Sequence, residues 1–191
     1  MYRTLLIFAA VCGLVITSCD NRAKIEGSWE SSPVKLDLAG TATSSATLCY
    51  TFNQDGSMSL TSDINLTEPM NSQTDGVLME YQASVAATAS VQGTWQYAPD
   101  ENDEVIITLD NNSFSIDVDP AAVTFSQNVL DGAQTPEVET MKQQAVGRYR
   151  AMLTPAMKAY FGERVKLDDI KVDKNFLNCE IGDKDYILRA I

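Results

Sequence analysis

Between residues 48 and 118 the chain keeps repeating one pattern, apolar and polar residues in strict alternation, cut at intervals by turn-forming residues. Side chains of an extended strand point alternately to its two faces, so this period of two demands sheet with one face buried. The stretch "TLCYTFNQDGSMSLTSDINL" shows it best. Leu48, Tyr50 and Phe52 alternate with polar residues, Asp55-Gly56 supplies the positive φ of a tight turn, and Met58 and Leu60 begin the return. A second turn signal stands at Asp75-Gly76. Beyond it Val77, Met79, Tyr81, Ala83 and Val85 alternate, Gly93 interrupts, and Trp95 and Tyr97 resume. "EVIITLD" predicts a strand ended by a turn at Asp110-Asn111-Asn112, and "SFSIDVD" another ended by Pro120. Residues 122–126 add a short strand before Asp131-Gly132. Upstream, Ile25 to Glu30 reads as the first strand, and the small polar run 39–46, "AGTATSSA", as a loop or loose edge.

The period then changes. Val138, Met141, Ala145, Tyr149 and Met152 fall in steps of three and four, which define one face of a helix. Thr135 fits the N-cap, Pro136 the first helical position, and Glu137 and Glu139 the positive helix end. Thr154-Pro155 is expected to break or kink the helix, with a short second one running to Phe161 and stopping at Gly162. The closing "DDIKVDKNFLNCEIGDKDYILRAI" gives two or three strands with turns at Asp173–Asn175 and Gly182-Asp183. Strands joined in sequence by tight turns favour an up-and-down meander, and closing it removes the unpaired edges. The expected fold is mainly β: an antiparallel barrel of about eight strands over residues 26–191, with a helical insertion at about 136–162 before the last strands.

The N-terminus has its own logic. Leu5 to Ile16 is an apolar run well short of the roughly 20 residues of a spanning helix. Arg3 precedes it and Thr17 and Ser18 follow, the order of a secretory signal. Val15-Ile16-Thr17-Ser18-Cys19 resembles the bacterial lipobox. The resemblance implies that residues 1–18 are removed, that Cys19 is acylated, and that 19–25 tether the domain to a membrane of the cell envelope. Several acyl chains would hold it there firmly. Asp20 is followed by Arg22 and Lys24, where surface-exported lipoproteins of Bacteroides-type bacteria carry an acidic run, so an outer membrane is expected with either face open. Loss of Arg3 leaves 13 cations against 26 acids, which excludes phosphate backbones as partners.

Cys12 leaves with the signal and Cys19 takes lipid, so Cys49 and Cys179 remain, in a compartment where disulfides form. Both lie in strand-like stretches near the two ends of the domain, which a closed barrel makes neighbours. Cys49 faces away from Leu48, Tyr50 and Phe52, whereas Cys179 shares its face with Leu177 and Ile181. A disulfide and two buried thiols both stand as readings.

There is no histidine, which removes the usual general base, the Ser-His and Cys-His pairs and His-based zinc sites. No phosphate-binding glycine loop occurs, and neither a metal nor another cofactor is expected. Two acid groups merit weighing as glycosidase-type pairs or calcium ligands: Asp117 with Asp119, and Asp100, Glu101, Asp103 and Glu104. The first reads as the polar face of a strand and the second as a solvated turn, and no enzyme is expected.

Gly27-Ser28-Trp29 carries a second resemblance. Gly-x-Trp opens the first strand of lipocalins and other calycins, and the chain is similar to lipocalin-like lipoproteins of Bacteroides-type bacteria. The shared order is lipobox, "G-x-W", the Tyr50, Phe52, Asp55, Gly56 hairpin, and Gly93-Thr94-Trp95. It implies that Trp29 closes the barrel floor with Arg189 packed across it, and that a small hydrophobic or amphipathic ligand binds inside. Trp29, Tyr50, Phe52, Tyr81, Trp95, Tyr97, Phe114 and Ile116 would then line the site or fill the core. The alternative is a filled barrel whose outer surface contacts another envelope protein.

Overall fold

A computed structural model describes residues 23–38, 42–74, 77–126 and 135–191. The signal, Cys19 and the turns at Asp75-Gly76 and Asp131-Gly132 lie outside the described residues. Among the described residues there are nine strands: β1 (Gly27–Ser31), β2 (Val34–Lys35), β3 (Thr43–Phe52), β4 (Ser57–Thr74), β5 (Val77–Tyr97), β6 (Val105–Phe125), β7 (Arg164–Val172), β8 (Phe176–Ile181) and β9 (Lys184–Ala190). One helix, α1 (Thr135–Phe161), precedes the last three. All pairings are antiparallel between neighbours, and β1 pairs with both β9 and β3. The sheet therefore closes into an up-and-down barrel. β1 and β2 share the flank of β3, β1 against Cys49–Phe52 and β2 against Ser45 and Ala46. Pro33, which has no N–H to give a ladder, sits between them.

The walls are unequal. β4, β5 and β6 hold 18, 21 and 21 residues, while β7, β8 and β9 hold 9, 6 and 7. At ~3.3 Å per residue the long strands rise more than twice as high as the short ones. One end, the floor, gathers the 53–57 and 98–104 connections, the 173–175 turn and the two ends of the described chain. Backbone bonds knit it: Trp95 N to Gly56 O at 2.8 Å, Ile170 N to Asp103 O at 3.0 Å and Ile191 N to Ser28 O at 3.1 Å. Above the short wall, α1 takes the place of the missing strand length and packs on the inner face of the tall wall. Among the described residues no helix is long and apolar enough to cross a membrane.

The turns at Asp55-Gly56 and Gly182-Asp183 form as expected, with φ of +82° at Gly56 and +62° at Gly182. Four expectations need correction. Of the run 39–46, residues 39–41 lie outside the described residues, and 43–46 are not a loop but the start of β3, paired with Ile64–Thr67 on one flank and covered on the other only at Ser45 and Ala46 by β2. The stretch 105–125 is not two strands and a third but one, β6. Asp110-Asn111-Asn112 does not reverse the chain. It opens a bulge, so that Ser90 and Gln92 of β5 face Ser115 and Asp110 of β6. A twin bulge spans Pro120, with Val85 and Ala87 facing Val123 and Val118. In each, an aspartate folds the chain locally: Asp110 Oδ1 accepts from Asn112 N at 2.9 Å, and Asp119 Oδ1 from Ala121 N at 2.8 Å.

The third correction concerns α1, which is continuous through Pro155. Thr154 Oγ1 donates to Arg150 O at 2.7 Å, an acceptor in the turn that proline disturbs. Gly162, at φ +69°, ends the helix and donates its N–H to Lys158 O. The fourth concerns the tether. Ile25 is fully buried and belongs to the core, so the domain reaches back to at least Ala23 rather than starting at residue 26.

Candidate functional site

The barrel interior is the natural place to look for function, and all eight residues expected to line it do stand on its inner face. Trp29, Tyr50, Phe52 and Trp95 are buried, while Tyr81, Tyr97, Phe114 and Ile116 are partly buried. They divide into two groups. At the floor, Phe52 meets Trp95 edge-on at 5.7 Å, Trp95 meets Tyr97 at 5.5 Å, and Tyr50 stacks with Phe52 at 6.3 Å between centroids. The polar ends of these rings turn to the backbone. Trp29 Nε1 donates to Ile25 O at 2.7 Å, Trp95 Nε1 to Asn53 O at 2.9 Å, and the Tyr97 hydroxyl to Ala23 O. The two Gly-x-Trp segments thus do the same thing, each pinning a floor connection by an indole N–H. Burial pushes the Tyr50 phenol well above its ordinary range. This floor is a packed core. Arg189 does not cover Trp29: it stands on the outer face of β9, exposed, opposite Glu30.

Tyr81, Phe114 and Ile116 sit higher. Tyr81 meets Phe125 at 5.9 Å, and Phe114 meets Phe161 of α1 at 6.1 Å with Lys158 Nζ 5.2 Å from its ring centroid. Ile116 stands opposite Ala89. The space above the floor belongs to α1, whose Tyr149, Leu153 and Met157 are fully buried and whose Phe161 is nearly so. Steps of four carry this stripe from Ala145 to Phe161. Between helix and floor remains a cavity of about 130 Å³ lined by Tyr50, Leu60, Tyr160, Phe161, Val165, Ile181 and Tyr186. Small-molecule sites usually measure ~300–1,000 Å³. A second crevice, of about 180 Å³, lies under the first half of α1 between Met70, Tyr81, Phe125, Met141, Gln144, Ala145 and Arg148.

Beside that crevice is a polar cluster that sequence reading missed. Glu68 continues the inward row Leu60, Ser62, Ile64, Leu66 and is 7% exposed. Its Oε1 accepts from Arg148 Nη2 at 2.6 Å, while Oε2 is buried without a partner. The Tyr149 hydroxyl lies by Met70 Sδ at 3.6 Å, and its pKa is raised, first by burial and then by the Glu68 carboxylate. The cluster ties α1 to β4. The signal was there to find: a charge at the inward parity of a strand is costly unless paired.

The other candidates disperse. Asp117 and Asp119 lie on the outer side, along a shallow open depression with Asp63, and Arg150 approaches Asp117 at 4.0 Å. Glu104 pairs with Lys166 at 2.7 Å, and Asp168 with the same lysine at 3.0 Å, so the acidic turn is partly neutralised. Among the described residues no cluster of three metal-ligating side chains occurs. Cys49 and Cys179 are free thiols, not a disulfide. They belong to β3 and β8, with β1 and β9 between them, and they point to opposite faces. Burial pushes the Cys179 thiol up to about 12.

Fold and interior together define a class: a closed antiparallel barrel occupied by its own helix. No protein-family model, no curated protein and no solved structure matches the chain.

Proposed function

We propose that the chain is an envelope lipoprotein, acylated at Cys19, whose filled lipocalin-like barrel works by contact with another envelope protein rather than by carrying a small molecule. One observation supports this most: Tyr149, Leu153, Met157 and Phe161 occupy the volume a hydrophobic ligand would need. The hollows that remain beside α1, of about 130 Å³ and about 180 Å³, are each below the usual size of a ligand site. Native mass spectrometry of the full chain released gently from membranes tests it. The expected mass is the processed chain plus its acyl groups. A stoichiometric small molecule beyond those would overturn the reading.

A second reading rests on the crevice at Tyr81 and Arg148. Its lining is mostly apolar, with Gln144 and the Glu68-paired Arg148 at its edge, which suits an amphipathic ligand with a polar, uncharged head. If this reading holds, the same mass experiment detects a bound species that Tyr81→Ala abolishes.

A further inference from the structure

The hollow of about 130 Å³ lies at the rim of the short wall, where α1 takes over from the strands. Tyr50 of β3 and Leu60 of β4 line one side, and the rim ends of β7, β8 and β9 line the other with Val165, Ile181 and Tyr186. Tyr160 of α1, 40% exposed, stands at its mouth. Tyr50 is the unusual member. It is 7% exposed, yet its hydroxyl bonds to no group among the described residues. The polar ends of Trp29, Trp95 and Tyr97 at the floor all find a carbonyl. After burial, what raises the Tyr50 pKa is Tyr160, Cys179 and Tyr186, so the polar ends of these side chains gather at the hollow.

Size and charge select an occupant. The hollow has the bulk of about four waters at ~30 Å³ each, the room of one short side chain. It is well below the ~300 Å³ at which small-molecule sites begin. The hot spots of protein interfaces are pockets of this kind, each filled by one anchor side chain. No lining residue carries a charge. Charges next to the lining residues in the chain are of both signs, Lys158, Arg164 and Lys184 against Glu163, Asp183 and Asp185. A charged head would therefore enter without a counter-ion, and a wholly apolar one would seal the Tyr50 hydroxyl unpaired, and both are costly. A primary amide, like a phenol, both donates and accepts, so it meets the phenols either way.

We propose that this hollow receives one neutral side chain of the partner protein, its aliphatic stem against Leu60, Val165 and Ile181 and its amide head, as in glutamine, on the Tyr50 hydroxyl. This rests on the contact reading above. It sets the contact face at the rim of the short wall beside the end of α1. Tyr160 and Tyr186 then form part of the ring that keeps water from the anchor.

Two measurements test it. Butyramide, butyrate and butylammonium, three heads on like stems, are titrated into the full chain in detergent while tyrosine and methyl NMR signals are followed. The proposal expects saturable shifts with butyramide at a Kd on the order of millimolar. It expects the two ions to bind about tenfold more weakly or less. Tyr50→Phe should lose the amide's advantage yet melt no earlier than the parent, because it removes no hydrogen bond. In the second measurement the photoreactive residue benzoylphenylalanine replaces Lys184, opposite Ile181 at the mouth, or the exposed outer Thr88 as control, in the full chain expressed in cells. A protein adduct is expected at 184 and not at 88, and Ile181→Trp should abolish it by filling the hollow while a thermal melt shows the barrel folded. Val165→Phe gives the same block from β7. Three heads that bind alike, no saturable binding, or an amide indifferent to Tyr50→Phe overturns the pocket and leaves partner contact elsewhere standing. Selective butyramide binding with no adduct at 184, or with an adduct that survives both blocks, overturns a partner side chain as the occupant.

Discussion

Leu153→Ala tests whether α1 truly fills the barrel. Leu153 lies at the middle of the buried stripe and is fully shielded from water. Its replacement removes three carbons, about 2.4 kcal/mol of transfer free energy at ~0.8 kcal/mol each. The hole adds to this, because strands paired on both sides collapse poorly, and a further ~1–2 kcal/mol follows from known cavity costs. The expected loss is about 3–4 kcal/mol, read from urea unfolding as a shifted midpoint at unchanged m. For a domain of this size the melting temperature should fall by about 10 °C. Met152→Ala, one position along and half-buried, should cost far less. The new hole is apolar, so a small aromatic solute should restore part of the loss in Leu153→Ala and none in the parent. A loss below ~1 kcal/mol for Leu153→Ala would falsify the filled interior, since only a helix standing off the wall loses so little.

Two glycines should respond in opposite directions. A Cβ at Gly93 would meet Thr108 O at 2.4 Å, a backbone atom of the paired strand that cannot step aside, so Gly93→Ala should lose at least ~2 kcal/mol by urea unfolding. A Cβ at Gly147 meets nothing within 4 Å on the exposed face of α1, so Gly147→Ala should gain up to ~1 kcal/mol. At the polar cluster, Arg148→Met leaves Glu68 buried without a counter-charge. Arg148 is itself 53% exposed, which trims the cost of a fully buried pair to about 2 kcal/mol. Glu68→Leu with Arg148→Met together should recover most of that in a double-mutant cycle, and two equal, additive losses would show that the pair does not act as one. Alkali should unfold the protein early. The thiol of Cys179 and the phenols of Tyr50 and Tyr149 all ionise at higher pH when folded than when unfolded. Their contribution is whole below the ordinary values of 9.0 for the thiol and 10.0 for the phenols, and is lost as pH climbs above them. A thermal melt that is flat from neutrality to strong alkali would contradict this.

The period-two signal carried most of the barrel, because alternation reports which face is buried. It did not report which strands continue through an interruption. Asp110-Asn111-Asn112 has the chemistry of a turn, and locally it makes one: Ser113 Oγ bonds back to Asp110 O at 2.7 Å. What keeps the strand going is β5, which resumes pairing at Ser115. Only a neighbour distant in sequence separates a bulge from a reversal. Pro155 failed as a stop for a related reason, since a helix packed along a wall keeps its course where an isolated one would break. The inward aromatics were legible one by one. Their partition into a solid floor and a helix-facing upper group was not, because it depends on where α1 lies.

That position has a compositional cause. The inner face of β3 to β6 is built large at the floor, with Tyr50, Phe52 and Trp95, and carries many small residues above it, with Ser44, Ala46, Ser62, Ala83, Ala87 and Ala89. Small side chains let a helix backbone approach, and α1 returns the volume as Tyr149, Leu153 and Met157. A barrel made to carry a free ligand needs this upper space open. Here a segment of the same chain competes for it at an effective concentration of ~mM or more. A free molecule would have to win that contest and break the Glu68–Arg148 contact before gaining any burial of its own. The interior therefore serves to hold α1 in place, and on the function proposed above contact with a partner would fall to the surfaces that α1 and the outer strands present.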